Sequence, residues 1–172
     1  AGCGGLIRRA TDGVIASPDI DGDSNYEPNL SCVWTISVTN MLTQFIELEF
    51  ERFDVEEGNS SEVCNNDYLD VYDGTTMHAP LLAKLCGRIT IPEKIHSSSD
   101  SLLLHFVTND NVTGHGFRAH FTVQNRTCGG YLYPTEEKQE IVSPNYPNGY
   151  TTPQQCFWSI GQNYMYYKKP VV

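Results

Sequence analysis

The chain has 172 residues, with 21 acidic against 11 basic side chains and a formal net charge of −10. That length sets a prior of one domain or slightly more, and the acidity disfavours nucleic acid as a partner and favours a basic one. The excess sits in residues 1–127, with 18 acids and 8 bases, and Glu47 to Asp73 holds 10 acids against the single base Arg52.

In chain order, Cys3-Gly4-Gly5, Ser17-Pro18 and the turn pair Asp21-Gly22 precede Tyr26 and Cys32-Val33-Trp34-Thr35-Ile36. Trp34, Ile36 and Val38 share one face of a predicted strand. Ile46, Leu48 and Phe50 then alternate with Glu47, Glu49 and Glu51, which predicts a half-buried strand. After Glu57-Gly58, Leu69 and Val71 mark another strand, ended by Asp73-Gly74. Leu102-Leu103-Leu104-His105-Phe106-Val107 reads as a strand buried on both faces. Beyond Gly114-His115-Gly116, Phe117, Ala119, Phe121 and Val123 alternate with Arg118, His120 and Thr122. No stretch offers three capped helical turns. The prediction is an all-β antiparallel sandwich, with function in the loops at its ends.

The pattern then restarts. Cys3-Gly4-Gly5, Ser17-Pro18, Tyr26 and Cys32-Val33-Trp34 return as Cys128-Gly129-Gly130, Ser143-Pro144, Tyr150 and Cys156-Phe157-Trp158, displaced by 124 to 126 residues. An offset this constant predicts a first unit at 3–124, a linker at 125–127 and the opening part of a second unit at 128–172. That second part lacks the strands it would pack against, so it is expected to be disordered or propped against the first unit.

The same repeat constrains the cysteines. If Cys3 pairs with Cys32, then Cys128 pairs with Cys156, which leaves Cys64 for Cys86. None of the spacings is that of a zinc knuckle or a redox motif. Four glycosylation triplets, beginning at Asn29, Asn59, Asn111 and Asn125, agree with paired cysteines in assigning the chain to an extracellular or cell-surface setting. No apolar run approaches the 18 or so residues of a membrane span, and no leader precedes Ala1. The expectation is a mature fragment whose membrane attachment, if any, runs through other parts of the protein or a partner.

Three acidic segments are candidates for chemistry: Phe53-Asp54-Val55-Glu56-Glu57, Cys64-Asn65-Asn66-Asp67-Tyr68 and Thr108-Asn109-Asp110-Asn111. Oxygen donors from three loops at one end of a sandwich suit a hard cation, which takes carboxylates, amides and carbonyls. The alternative is an exposed acidic surface that holds no metal. There is no zinc-protease, nucleophile-elbow, phosphate-loop or dinucleotide motif. His105 and His120 lie in predicted strands and His78, His96 and His115 in loops, where a structural role is the simpler reading. Tyr131, Tyr133, Tyr146, Tyr150, Tyr164, Tyr166 and Tyr167 read as core and strand residues rather than a ligand surface.

In order and spacing, these motifs together with Leu85-Cys86-Gly87 and Gly116-Phe117-Arg118-Ala119 resemble the CUB domain, an extracellular module of complement proteases, tolloid-type metalloproteases, neuropilins and cubilin-type endocytic receptors. The resemblance implies a jelly-roll-like sandwich with the disulfides above. It also implies a Ca2+ site of one Glu and two Asp, falling on Glu56 and Asp67. The position of the third ligand holds Asn109, with Asp110 next in line and preferred on charge, and Asn111 as a further contributor. The family tyrosine two residues after the cysteine is replaced by Asn66. In such domains the ion and the outer oxygens of Glu56 and Asp67, with Tyr68 beside them, would receive a Lys or Arg of a protein ligand. The function implied is a non-catalytic binding module of a multi-CUB receptor beside neighbouring CUB domains. The alternatives are a substrate-recognition module of a tolloid-like or complement-type protease, and a structural spacer without calcium.

Overall fold

The computed structural model describes residues 3–40, 42–59, 63–90, 93–149 and 156–161. Tyr150, Tyr164, Tyr166, Tyr167 and the rest of the C-terminal tail lie outside the described residues. The described strands are, in chain order, β1 (Gly5–Arg8), β2 (Asp12–Ala16), β3 (Ser31–Ser37), β4 (Gln44–Asp54), β5 (Tyr68–Tyr72), β6 (Leu81–Leu85), β7 (Arg88–Ile89), β8 (Ile95–His96), β9 (Ser101–Val107), β10 (Gly116–Asn125), β11 (Gly130–Leu132) and β12 (Trp158–Ile160). Among the described residues there is no helix.

Two five-stranded sheets form the sandwich. One runs β1-β3-β9-β5-β6; the other runs β2-β10-β4-β7, with β8 also paired to β4. The predicted alternation sends Cys32, Trp34 and Ile36 of β3, Ile46, Leu48 and Phe50 of β4, and Phe117, Ala119 and Phe121 of β10 into one shared core. The Phe117 ring is its hub, with centroids 5.2 Å from Phe106, 6.0 Å from Trp34 and 6.3 Å from both Phe50 and Phe53. Since Phe106 and Trp34 belong to one sheet and Phe50 and Phe53 to the other, this cluster joins the two layers.

Two features depart from a simple antiparallel reading. Strand β1 pairs with β3 in parallel, Gly5 opposite Trp34. It is led there by the Cys3–Cys32 disulfide and by Gly4, whose φ is +89° and whose Cβ, if it had one, would lie 2.5 Å from the Val33 carbonyl oxygen. The second repeat is built alike: Cys128 is bonded to Cys156, Gly129 has φ +101° and approaches the Phe157 carbonyl as closely, and β11 runs parallel to β12. The recurring Cys-Gly-Gly therefore reflects a close backbone approach open only to glycine.

The other departure is a β-bulge. Against β10, the register steps from Phe50 opposite Ala119 to Arg52 opposite Arg118, so β4 carries one extra residue. The period of two breaks there, and Phe53 and Val55 rather than Arg52 and Asp54 turn inward. Strand β4 thus runs on to Asp54 and delivers Glu56 to the end of the sandwich.

Where 125–127 meets the second repeat, the Arg126 guanidinium lies 5.4 Å from the Phe45 ring and 4.9 Å from the Phe157 ring. Its backbone N–H donates to the Thr43 carbonyl (2.7 Å) and its Nη2 to the Ser98 carbonyl (2.8 Å). The opening of the second repeat is therefore propped on the first through a cation held between two aromatic faces.

Candidate acidic loop site

Pairing directions bring five segments to one end of the sandwich. Ser31 and Tyr68 each face Val107, and Gly116 faces Asp54, so the starts of β3, β5 and β10 meet the ends of β9 and β4. The loops that follow or precede these strands carry Asn29, Glu56, Asp67 and Asn109.

Asp67 is fully buried at the centre. Its Oδ1 accepts the Asn109 backbone N–H at 2.6 Å, and its Oδ2 accepts the Tyr26 hydroxyl at 2.6 Å. The Tyr26 oxygen in turn accepts the Glu56 backbone N–H at 3.0 Å, and the Asn109 side-chain amide donates to Glu56 Oε2 at 2.7 Å. Glu56, Asp67 and Asn109 are thus gathered, with Tyr26 as the strut between them. Charge-assisted bonds from a backbone amide and a phenol keep the buried carboxylate solvated by the protein.

Tyr26 was read from the sequence only as a repeat landmark, yet it organises the site. Its return as Tyr150 was the available signal. Burial, and then the hydrogen bond to Asp67, push its phenol well above the usual range near 10. A raised folded-state value stabilises the fold fully below about pH 10 and less as pH climbs beyond it. In an ultraviolet titration, a late-ionising phenol should therefore be lost in Tyr26→Phe. Tyr72 is also raised, by burial and Asp70, so the variant is needed for the assignment. An unchanged titration in Tyr26→Phe would refute this role.

The other predicted site residues lie apart. Asp110 and Asn111 are exposed, although the Asn111 backbone N–H donates to Asn109 Oδ1 at 2.8 Å. Among the described residues the Asp110 carboxylate does not converge with those of Glu56 and Asp67. Asn66 donates to the Glu57 carbonyl (3.0 Å), tying the second loop to the first. Tyr68 points to the outer face of β5, where the Lys84 ammonium sits 3.3 Å from its ring centroid and also pairs with Asp70 at 3.1 Å. His96 belongs to β8 rather than a loop and bonds Glu47 (2.9 Å), while His105 meets Ser31 Oγ (3.0 Å) and is held below its ordinary pKa by burial. The third disulfide, Cys64–Cys86, ties the approach to Asp67 to the end of β6.

The acidic run divides in two. Along the outer faces of the strands, Glu47 and Glu49 meet Lys94, Glu51 meets Arg118, Asp54 meets Arg88 and Asp70 meets Lys84. At the loop end, Glu56, Glu57 and Asp67 have no basic side chain within 4.0 Å among the described residues. The internal bases thus neutralise the strands and leave the negative potential at the loops.

A second carboxylate group went unread in the sequence. Ligand oxygens of Asp19, Asp21 and Glu27 lie within 4.8 Å of one another. Glu27 Oε1 accepts the Ile20 and Asp21 backbone N–H groups (2.8 and 3.2 Å), and Asp19 accepts those of Gly22 and Ser24 (2.8 and 3.2 Å). Alternating oxygen-bearing residues from Asp19 to Glu27 were its signal.

Glu56 and Asp67 offer anionic oxygens that suit a hard cation such as Ca2+ through the lone pairs their present bonds leave free, while the Asn109 amide turns its nitrogen to Glu56 and its Oδ1 to the Asn111 N–H. Comparison with known proteins bears on this. The CUB domain family model matches residues 3–121 and 128–167. Dog (Canis lupus familiaris) cubilin is 35% identical over 157 residues, which is 91% of this chain and 4% of cubilin. Human tolloid-like protein 2 is 36% identical over 159 residues, 92% of this chain and 14% of that protein. The crystal structure of the MASP-1 CUB2 domain bound to Ca2+ superposes with a TM-score of 0.57 at 27% identity, covering 70% of this chain and 99% of that one.

Proposed function

Because the chain belongs to the CUB domain family, a family of extracellular and cell-surface protein-interaction modules, we propose that residues 3–124 form a non-catalytic binding unit of a multi-CUB, cubilin-like receptor. In this reading the unit takes Lys or Arg side chains of protein ligands at a calcium-organised acidic site, and residues 128–172 begin the next unit. The observation that carries it is the buried Asp67 beside Glu56, both without a basic partner among the described residues while their strand neighbours are paired.

When bound, Ca2+ would supply the positive charge that draws two carboxylates and an amide oxygen together. Glu56, Asp67 and Asn109 would hold it, with Asn109 presenting Oδ1 rather than its amide nitrogen. Tyr26 fixes Asp67 from below and so pre-organises the set. The outer oxygen of Glu56 then remains for an ammonium or guanidinium, a contact that weakens with salt. One such contact is weak, and repetition along an array multiplies it. The substrate-recognition reading uses the same site and differs in the domains around it; the similarity to tolloid-like protein 2 favours keeping it as the second choice.

Calcium titration of the whole chain by calorimetry tests this. A Kd in the extracellular range of about 10⁻⁴ to 10⁻³ M is expected, lost in Glu56→Gln. At ten times Kd the ion should stabilise the fold by about 1.4 kcal/mol. Asn109→Asp adds a ligand charge and should tighten binding roughly tenfold, whereas Asp110→Asn should leave it nearly unchanged. Loss of binding in Asp110→Asn but not in Asn109→Ala would move the third ligand to Asp110. No heat and no thermal shift in any form would sink the calcium reading and leave the spacer.

A further inference from the structure

Two of the four glycosylation triplets have their asparagines against the residue that completes the acidic site. The Asn29 backbone N–H donates to the Asn109 carbonyl at 2.7 Å, and the Asn111 backbone N–H donates to Asn109 Oδ1 at 2.8 Å. Both asparagines are exposed, and neither side-chain amide has a hydrogen-bond partner among the described residues. Two residues of chain span at most about 7 Å, so a group on Asn111 starts beside Asn109. Asn125, at the far end of β10 opposite Gln44, is remote from this end and serves as an internal control.

We infer that N-glycans on Asn29 and Asn111 flank the Glu56, Asp67 and Asn109 site and gate it by size, admitting ions and short basic peptides while excluding a folded basic protein face. The modification is ordinary glycosyl transfer: asparagine Nδ2 forms a bond to sugar C1 as the C1–O bond to a lipid-linked diphosphate breaks. The lipid diphosphate leaves and the amide gives up one proton. The attached sugars are bulky, hydrated and mobile, so they occupy the volume a protein partner needs without touching the buried carboxylate. The inference rests on the proposed role of the acidic site and adds its regulation. Through occupancy of Asn111, one chain would exist in a ligand-accepting and a shielded form.

The test compares the whole chain secreted from a glycosylating host with Thr113→Ala, which removes the Asn111 triplet but leaves Asn111 in place. Thr127→Ala does the same at Asn125. Glycopeptide masses report occupancy; the probes are calcium, tri-lysine and lysozyme, a folded basic protein. Thr113→Ala should bind lysozyme about tenfold more tightly, with calcium and tri-lysine within about twofold and Thr127→Ala unchanged. Wild-type chain trimmed by an endoglycosidase to one sugar per site loses the Asn29 glycan as well, so it should bind lysozyme at least as tightly as Thr113→Ala, and it supplies the comparison should that variant fail to be secreted. An unglycosylated Asn111, or a glycosylated one that leaves lysozyme binding unchanged on removal, overturns the gate while tri-lysine binding keeps the site. Failure of every form, trimmed or not, to bind either tri-lysine or lysozyme overturns the gate and the site together.

Discussion

Asp67→Ala is expected to lower the melting temperature of the chain by roughly 10 °C in chelator and to abolish any rise on adding calcium. The side chain is fully buried, and its two oxygens accept the Tyr26 hydroxyl and the Asn109 N–H. Hydrogen bonds to a charged acceptor contribute about 1.5 to 3 kcal/mol each, so losing both costs about 3 kcal/mol or more. For a unit of this size, each kcal/mol corresponds to about 3 °C. Tyr26→Phe removes one of the same bonds and should cost about half as much. The two losses should be markedly non-additive, because the partners share one interaction. Calorimetric melting of the two single variants and the double variant provides the check. An Asp67→Ala chain melting within about 2 °C of wild type would show that the carboxylate is not integral to the loop cluster.

Phe117→Ala should be at least as severe. The ring is fully buried and packs against Phe106 and Trp34 of one sheet and Phe50 and Phe53 of the other. Removing such a ring costs about 3 to 5 kcal/mol, a large share of the 5 to 15 kcal/mol that stabilises a typical domain. The expected readouts are poor secretion and a much reduced urea midpoint with an unchanged slope. Phe117→Leu, which retains most of the apolar volume, should retain most of the stability. If Phe117→Ala unfolded at the wild-type midpoint, the two layers would be held together elsewhere.

Ile46, Leu48 and Phe50, and Phe117, Ala119 and Phe121, were legible as strands because adjacent side chains in a strand point to opposite faces. Phe53-Asp54-Val55-Glu56-Glu57 was legible as a strand end, but the inward turn of Phe53 was not. The bulge that turns it inward is set by pairing with β10, more than 60 residues away in sequence. Strand β1 escaped detection for a related reason. Only Ile7 of Gly5-Leu6-Ile7-Arg8 is half-buried, and its partner is the parallel neighbour β3.

The site divides the same way. Acids clustered at predicted strand ends suggested a cation site in three loops, and the CUB resemblance singled out Glu56 and Asp67 within them. Asn109 and Asp110 were nearly equivalent as sequence, and charge favoured Asp110. In the fold the Asn109 amide meets Glu56 while the Asp110 side chain faces solvent. Backbone bonds from Asn109 to Asp67 and from Asn29 to Asn109 set that orientation. The acidic run from Glu47 to Asp73 looked uniform until Lys84, Arg88, Lys94 and Arg118 were seen to neutralise its strand portion.

By itself, the sequence determined the repeat, the all-β class, the cysteine pairing once one bridge was assumed, and the extracellular character. Each of these is written in local spacing or in an offset between like segments. The tertiary structure alone decided the parallel placement of β1, the bulge in β4, the strut formed by Tyr26, the contact of the Asn109 amide with Glu56 and the acids left without a base. Those depend on which distant backbones share hydrogen bonds, and no local period encodes that.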